Sequence, residues 1–177
     1  IITPVVDVEI KDDFYALAAN MAWQYPYYLQ ENEGLVQDAC IYYTSNAPAA
    51  DGTTTCELID GSYTTSYTTT ENSISEPHYL QADLDGNSVT QFYFYIKANL
   101  QRADGRPIDI SVYGSNDGNT FNKITDVKTM MTDEMFYFSD LIECTAYKHL
   151  RFEVNSVNVG DKAFTISEFY VLPYNKD

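Results

Sequence analysis

Three stretches of this chain alternate apolar and polar positions with a period of two, and that spacing limits the fold more than any other feature. Phe92, Phe94 and Ile96 stand against Tyr93 and Tyr95; Ile108, Ile110 and Val112 against Asp109, Ser111 and Tyr113; Leu150, Phe152 and Val154 against Arg151, Glu153 and Asn155. Successive side chains of a strand point to opposite faces, so each run suits a sheet packed on one side. From Ala39 onward, short runs rich in Tyr, Phe, Val, Ile and Thr are separated by turn signals: Asp51-Gly52, Asp60-Gly61, Asp85-Gly86-Asn87, Asp104-Gly105 and Asn116-Asp117-Gly118. Many such runs without interleaved helices predict an all-β fold of two antiparallel sheets face to face. No internal repeat of about 20–50 residues points to a propeller or solenoid.

One segment follows another period. In Asp12–Gln24, Phe14, Leu17, Ala18 and Met21 recur at helical spacing, Asp12 or Asp13 caps the start, and Pro26 stops the run. A chain of 177 residues suits one sandwich of roughly 130–150 residues plus an appended piece. The expected division is an N-terminal helical adaptor over residues 1–33 and a sandwich over 34–177.

Ten Lys and Arg face 26 Asp and Glu, a formal charge of −16. Such a field repels phosphate backbones and anionic lipid, which leaves cations and neutral ligands as partners and excludes nucleic acid. The plainer reading of the charge is solubility alone. No run of about 18 apolar residues predicts a membrane span. The chain begins at Ile1, with no basic, apolar leader, and reads as a mature or excised piece of a larger protein. Cys40, Cys56 and Cys144 have no CxxC spacing; one bridge with one free thiol and three buried thiols are both open, the thiols being the favoured expectation.

Chemistry is sparse. His78 and His149 are the two histidines, and neither falls in a metalloprotease, nucleophile-elbow or phosphate-loop motif. Asp83, Asp85 and Asn87 open like an EF-hand loop, but Gly86 comes too early and Phe94 occupies the place of the bidentate acid, so the stretch reads as a hairpin turn. Paired carboxylates of a glycosidase need only the right separation in the folded chain, which leaves that class open.

Four segments, in order, carry a resemblance: Leu58-Ile59-Asp60-Gly61 with Thr65; Tyr79 to Leu84; Ile110 to Gly118 with Phe121; and Tyr147 to Phe152 leading to Ile166-Ser167-Glu168-Phe169. Together, over about Gly34 to Tyr174, the chain resembles the coagulation-factor C-type, or discoidin, family with its galactose-binding-like jelly roll, and is similar in particular to family 32 carbohydrate-binding modules. Tyr67 stands where a tryptophan is common in that family. The resemblance implies a non-catalytic carbohydrate-binding module of a larger secreted or cell-surface protein, with a neutral glycan as partner. The alternatives are an adhesion or assembly domain that grips a protein and, third, a glycoside hydrolase fragment. A structural calcium is also implied, held by Asp60 and Thr65 through side chains, Glu57, Ser62 and Ser167 through carbonyls, and Glu168 through its carboxylate; such an oxygen set suits calcium. By region, the resemblance suggests His78, Arg102, Arg106, Asn155, Asn158, Tyr63 and Tyr67 as ligand-binding residues, rings packing on a pyranose face while polar groups meet its hydroxyls.

Overall fold

The computed structural model describes residues 43–50, 53–59, 65–70, 76–84, 88–99, 101, 104–130, 134–160 and 162–173. The expected helix over Asp12–Gln24, the boundary at residue 33 and the turns at Asp51-Gly52, Asp60-Gly61 and Asp85–Asn87 lie outside them.

The described strands are β1 (Tyr43–Ser45), β2 (Tyr67–Thr68), β3 (His78–Asp83), β4 (Val89–Lys97), β5 (Arg106–Ser115), β6 (Asn122–Lys128), β7 (Phe136–Phe138), β8 (Ile142–Tyr147), β9 (His149–Asn158), β10 (Thr165–Ile166) and β11 (Glu168–Pro173). A one-turn 3-10 helix, Thr55–Ile59, precedes β2. One sheet has the order β1-β3-β9-β5-β6; the other centres on β4, with β11 along one side and β7 and β8 sharing the other; β2 and β10 form a small ribbon. All these pairings are antiparallel, as the alternation predicts.

Aromatic rings join the two sheets. Phe152 of β9 lies 5.0 Å from Phe94 of β4 and 5.0 Å from Phe169 of β11, centroid to centroid, and Tyr43 of β1 meets Phe169 edge-on at 5.6 Å. Tilted and edge-to-face packing places the positive rim of one ring on the negative face of another, which adds to the gain from burial. Leu150, Phe152 and Val154 are buried, in the positions their alternation gives them, and Ile166 and Phe169 join them in the core.

The Asn116-Asp117-Gly118 turn forms as read. Gly118 takes φ 75°, where a side chain is strained, and Asp117 Oδ1 accepts the N–H groups of Asn119 and Thr120, each at 2.8 Å. These donors hold the Asp117 carboxyl below the usual carboxylate range, the Thr120 N–H foremost.

The cysteines correct an expectation. Cys56 is disulfide-bonded and Cys144 is a free thiol, so the chain carries a bridge rather than three thiols; Cys40 is the remaining cysteine of the sequence. Spacing alone does not reveal which cysteines the fold brings together.

Candidate functional site

One end of the sandwich brings together four of the residues singled out from sequence, Arg106, Asn158, Ser167 and Glu168. β4 ends there at Lys97, which is aligned with Glu168 on one neighbour and Phe136 on the other. β9 ends there at Asn158, opposite Arg106 at the start of β5. Backbone bonds tie the rim together: Gly105 N–H to Asn158 C=O at 2.8 Å, Thr165 N–H to Gly105 C=O at 2.9 Å, and Ser167 N–H to Lys97 C=O at 2.8 Å. Gly105 needs its φ of 80° for the turn into β5, and a Cβ there would meet Thr165 Oγ1 at 3.0 Å.

Phe136 opens this end to solvent. It is 48% exposed, and Lys97 Nζ lies 5.4 Å from its ring centroid. Burial holds the Lys97 ammonium below its ordinary pKa. Beside Lys97 in the chain, Asn99 donates from Nδ2 to Ser66 Oγ at 2.6 Å and accepts the Gln101 N–H at 2.8 Å. The accessible Phe136 ring can pack on the C–H face of a small polar ligand, with half-buried Asn158 as a solvated amide of the rim, whereas Lys97 and Asn99 are largely buried. Val159, 68% exposed, continues the rim from Asn158 with φ 53°, an uncommon conformation for a β-branched residue and one that recurs at binding loops.

The predicted ligand residues divide. His78 is fully buried: its Nδ1 stands 2.8 Å from Thr69 Oγ1, which also accepts the Phe164 N–H at 3.0 Å. Tyr67 is buried too, its hydroxyl donating to Ala47 C=O at 3.4 Å and pushed up in pKa by burial. Both are core residues here and present no open face to solvent. Arg106 is buried with Nη1 3.7 Å from Met135 Sδ, and Asn158 is half-buried at the rim. Asn155 is exposed on the outer face of the five-stranded sheet instead. Arg102 and Tyr63 lie outside the described residues. Phe136 escaped the sequence reading because Phe136-Tyr137-Phe138 looks like any strand; only its pairing with Lys97 places it at the rim.

Four of the six residues expected to hold calcium are described. Glu168 and Ser167 are fully buried, Tyr170 donates its hydroxyl to Glu168 Oε2, and Ser167 Oγ lies 3.3 Å from Ser66 Oγ. Glu57 sits in the 3-10 helix, which packs beside β11, and Thr65 is exposed. Asp60 and Ser62 lie outside the described residues, and among the described ones no cluster of three His, Cys, Asp or Glu side chains forms. A carboxylate buried this deeply is costly without compensating charge or hydrogen bonds. Hard oxygens from Glu168 and its neighbours fit calcium better than a soft metal.

A cleft of about 380 Å³ between β6 and the β7–β8 segment places Asp126 on one wall and Asp140 and Glu143 on the other. Lys123 and Ser111 hold the Asp126 carboxyl below its usual range. A glycosidase acid requires the opposite shift.

No family model matches the sequence, and no curated protein matches it. Solved structures do. The chain is similar to CpGH89CBM32-5 of Clostridium perfringens in complex with GalNAc-β-1,3-galactose, at TM-score 0.61 and 19% identity over 73% of this chain and 93% of that one. It is similar to CBM32-3 from a family 31 glycoside hydrolase of the same organism, at TM-score 0.63 and 11% identity over 76% and 92%. The family 32 module of Clostridium perfringens NanJ, in complex with galactose, matches at TM-score 0.58 and 15% identity over 74% and 93%. At these identities the likeness establishes the fold: the discoidin, galactose-binding-like β-sandwich.

Proposed function

We propose that this chain is a non-catalytic carbohydrate-binding module of a larger secreted or cell-surface protein, and that it holds a neutral sugar at the rim built from Phe136, Lys97, Asn99 and Asn158. The observation that carries this reading is Phe136, a large aromatic left 48% exposed beside Lys97 at the loop end of the fold. Solved domains of the same fold bind galactose and GalNAc-β-1,3-galactose, and the charge of −16 disfavours an anionic ligand. A disulfide at Cys56 supports an oxidising, extracellular setting.

Titration calorimetry against galactose- and N-acetylhexosamine-containing glycans tests the reading. A dissociation constant on the order of 0.1–1 mM is expected, since few atoms are buried and each hydroxyl exchanges water for protein. Phe136→Ala should abolish the heat and leave the melting temperature within a few degrees. No heat from any glycan at millimolar concentration sinks the proposal.

Calcium belongs to the same reading. Glu168, Ser167, Glu57 and Thr65, with Asp60 and Ser62, would hold the ion as a structural brace between the segment before β2 and the start of β11. Calcium should therefore raise the melting temperature beyond what matched magnesium achieves, because magnesium demands a tighter octahedron. Equal responses to both ions, or a calcium response that survives Asp60→Ala, remove the site.

A further inference from the structure

The outer face of the five-stranded sheet carries a groove remote from the rim. It encloses about 470 Å³ and is lined by Asp109 and Ser111 of β5, Lys123, Asp126 and Lys128 of β6, and Asn155 of β9. The strand ladders are irregular there. Asp109 stands opposite Ser156 and Ile110 opposite Val154, so Asn155 falls between the two pairs; the β5–β6 register slips again between Val112 and Tyr113. Such irregularities re-aim side chains and are over-represented beside functional sites.

The re-aimed groups form two hydrogen-bonded clusters. Asn155 Nδ2 donates to Ser111 Oγ at 2.7 Å, Ser111 donates to Asp126 Oδ1 at 2.6 Å, and Lys123 Nζ lies 2.8 Å from Asp126 Oδ2. At the other end, Lys128 Nζ donates to Asp109 Oδ1 at 2.8 Å and Ser156 to Asp109 Oδ2 at 2.6 Å. The groove therefore offers two carboxylate–ammonium pairs, one on each side of a serine–asparagine bridge.

We infer that this groove is a second carbohydrate subsite, taking a neutral hexose unit of the same glycan class but on a surface separate from the rim. Every sugar hydroxyl both donates and accepts. A carboxylate beside an ammonium answers two neighbouring hydroxyls at once, one as acceptor and one as donor. Asp109 and Ser111, like Asp126 and Lys128, are two residues apart on their strands, a separation of about 7 Å that spans one hexose ring. Two lysines cancel two aspartates, so the groove itself selects neither cations nor anions, and the net charge of the chain disfavours the anions further. Each cluster is already hydrogen-bonded, which lowers the ordering cost on binding. Two sites on different faces would let one domain hold two glycan branches with a gain in avidity.

The inference shares with the proposed function only its ligand class, and an amide-resolved NMR titration of the full chain separates the two. The probes are galactose and GalNAc-β-1,3-galactose, with glycerol at matched hydroxyl concentration as control. The amides of Ser111, Asp126 and Asn155 should shift and saturate independently of those of Lys97 and Phe136. Asn155→Ala and Asp126→Asn should each weaken the groove by about fivefold or more and leave the rim constant unchanged, whereas Phe136→Ala should do the reverse. No groove shifts at about 50 mM sugar, a range that reaches weak sites, overturns the inference, as do equal shifts with glycerol. A silent groove with an active rim leaves the proposed function standing.

Discussion

The two sheets treat their outer faces differently. On the five-stranded sheet most outward positions are polar and partly solvated, although Ser111 is buried: Arg151 lies between Tyr79 and Phe121, 4.0 and 3.7 Å from their centroids, bonds Gln81 through Nε and Nη2, and neighbours an Asp83–His149 pair. On the β4 sheet most outward positions of β4 and β11 are buried, Phe136 of β7 being the exposed exception. Tyr95 stacks on Tyr170 at 5.5 Å and meets Phe138 at 5.6 Å, and Tyr93, Tyr95, Tyr170 and Glu168 are all inaccessible to solvent or nearly so. Identical alternation thus has two outcomes: one strand faces water with its second side, the other faces protein. Titration follows the same division only in part. Asp109, Asp117 and Asp126 of the first sheet and its turn are lowered chiefly by hydrogen-bond partners, while Lys97 and Cys144 on the second, and Glu153 on the first, are shifted by burial.

The largest expected effect compares two outward tyrosines. Tyr95→Ala should cost about 3–5 kcal/mol, as a buried aromatic truncation does. Tyr79→Ala should cost about 1 kcal/mol, the scale of a partly exposed cation–π contact. Urea unfolding of both variants measures this, and equal losses break the comparison.

The next effect is the acid response. Asp109 is lowered first by Lys128 and then by Ser156. A carboxyl depressed in the folded state contributes stability in full above its unfolded pKa, about 3.9, and loses it as pH falls through the folded value. Urea midpoints should therefore drop below about pH 4, and Asp109→Asn should flatten the slope. A slope unchanged in that variant assigns the acid response elsewhere.

A smaller effect belongs to the β4 sheet at alkaline pH. Burial pushes the Cys144 thiol up to about 11, from 9.0. The unfolded thiol ionises first, so stability holds below about pH 9 and falls as pH rises toward 11. Cys144→Ala should reduce that fall; an identical alkaline profile refutes the assignment.

The smallest effect concerns the end of β9. Val159→Gly should relieve the left-handed backbone and stabilise by about 0.5–1 kcal/mol after the entropic cost of glycine. A loss of stability would mean that Val159 contacts matter more than its backbone strain.

Much of the fold was legible because burial imprints a period. Leu150, Phe152 and Val154 could serve only as one face of a strand, and Asn116-Asp117-Gly118 only as a turn. The candidate site was less legible, since its members come from three strands and a loop that only the folded chain brings together. His78 and Tyr67 have the chemistry of sugar contacts and were placed in the core, whereas Phe136 has the chemistry of a core residue and was left at the rim. Residue type reports what a side chain is able to do; exposure reports whether it does so.

What the sequence by itself determined is the all-β class, the inward faces of β4, β5 and β9, and an acidity that disfavours anionic partners. Those depend on nearest neighbours along the chain and on summed charge, which are local or additive quantities. Only the tertiary structure decided that the second face of β4 is buried, that Cys56 is bridged, and that Asn155 joins a polar cluster on the sheet rather than the rim. Each of these depends on which distant segments come within a few ångströms, and hydrogen-bonded register between strands, not order along the chain, sets those distances.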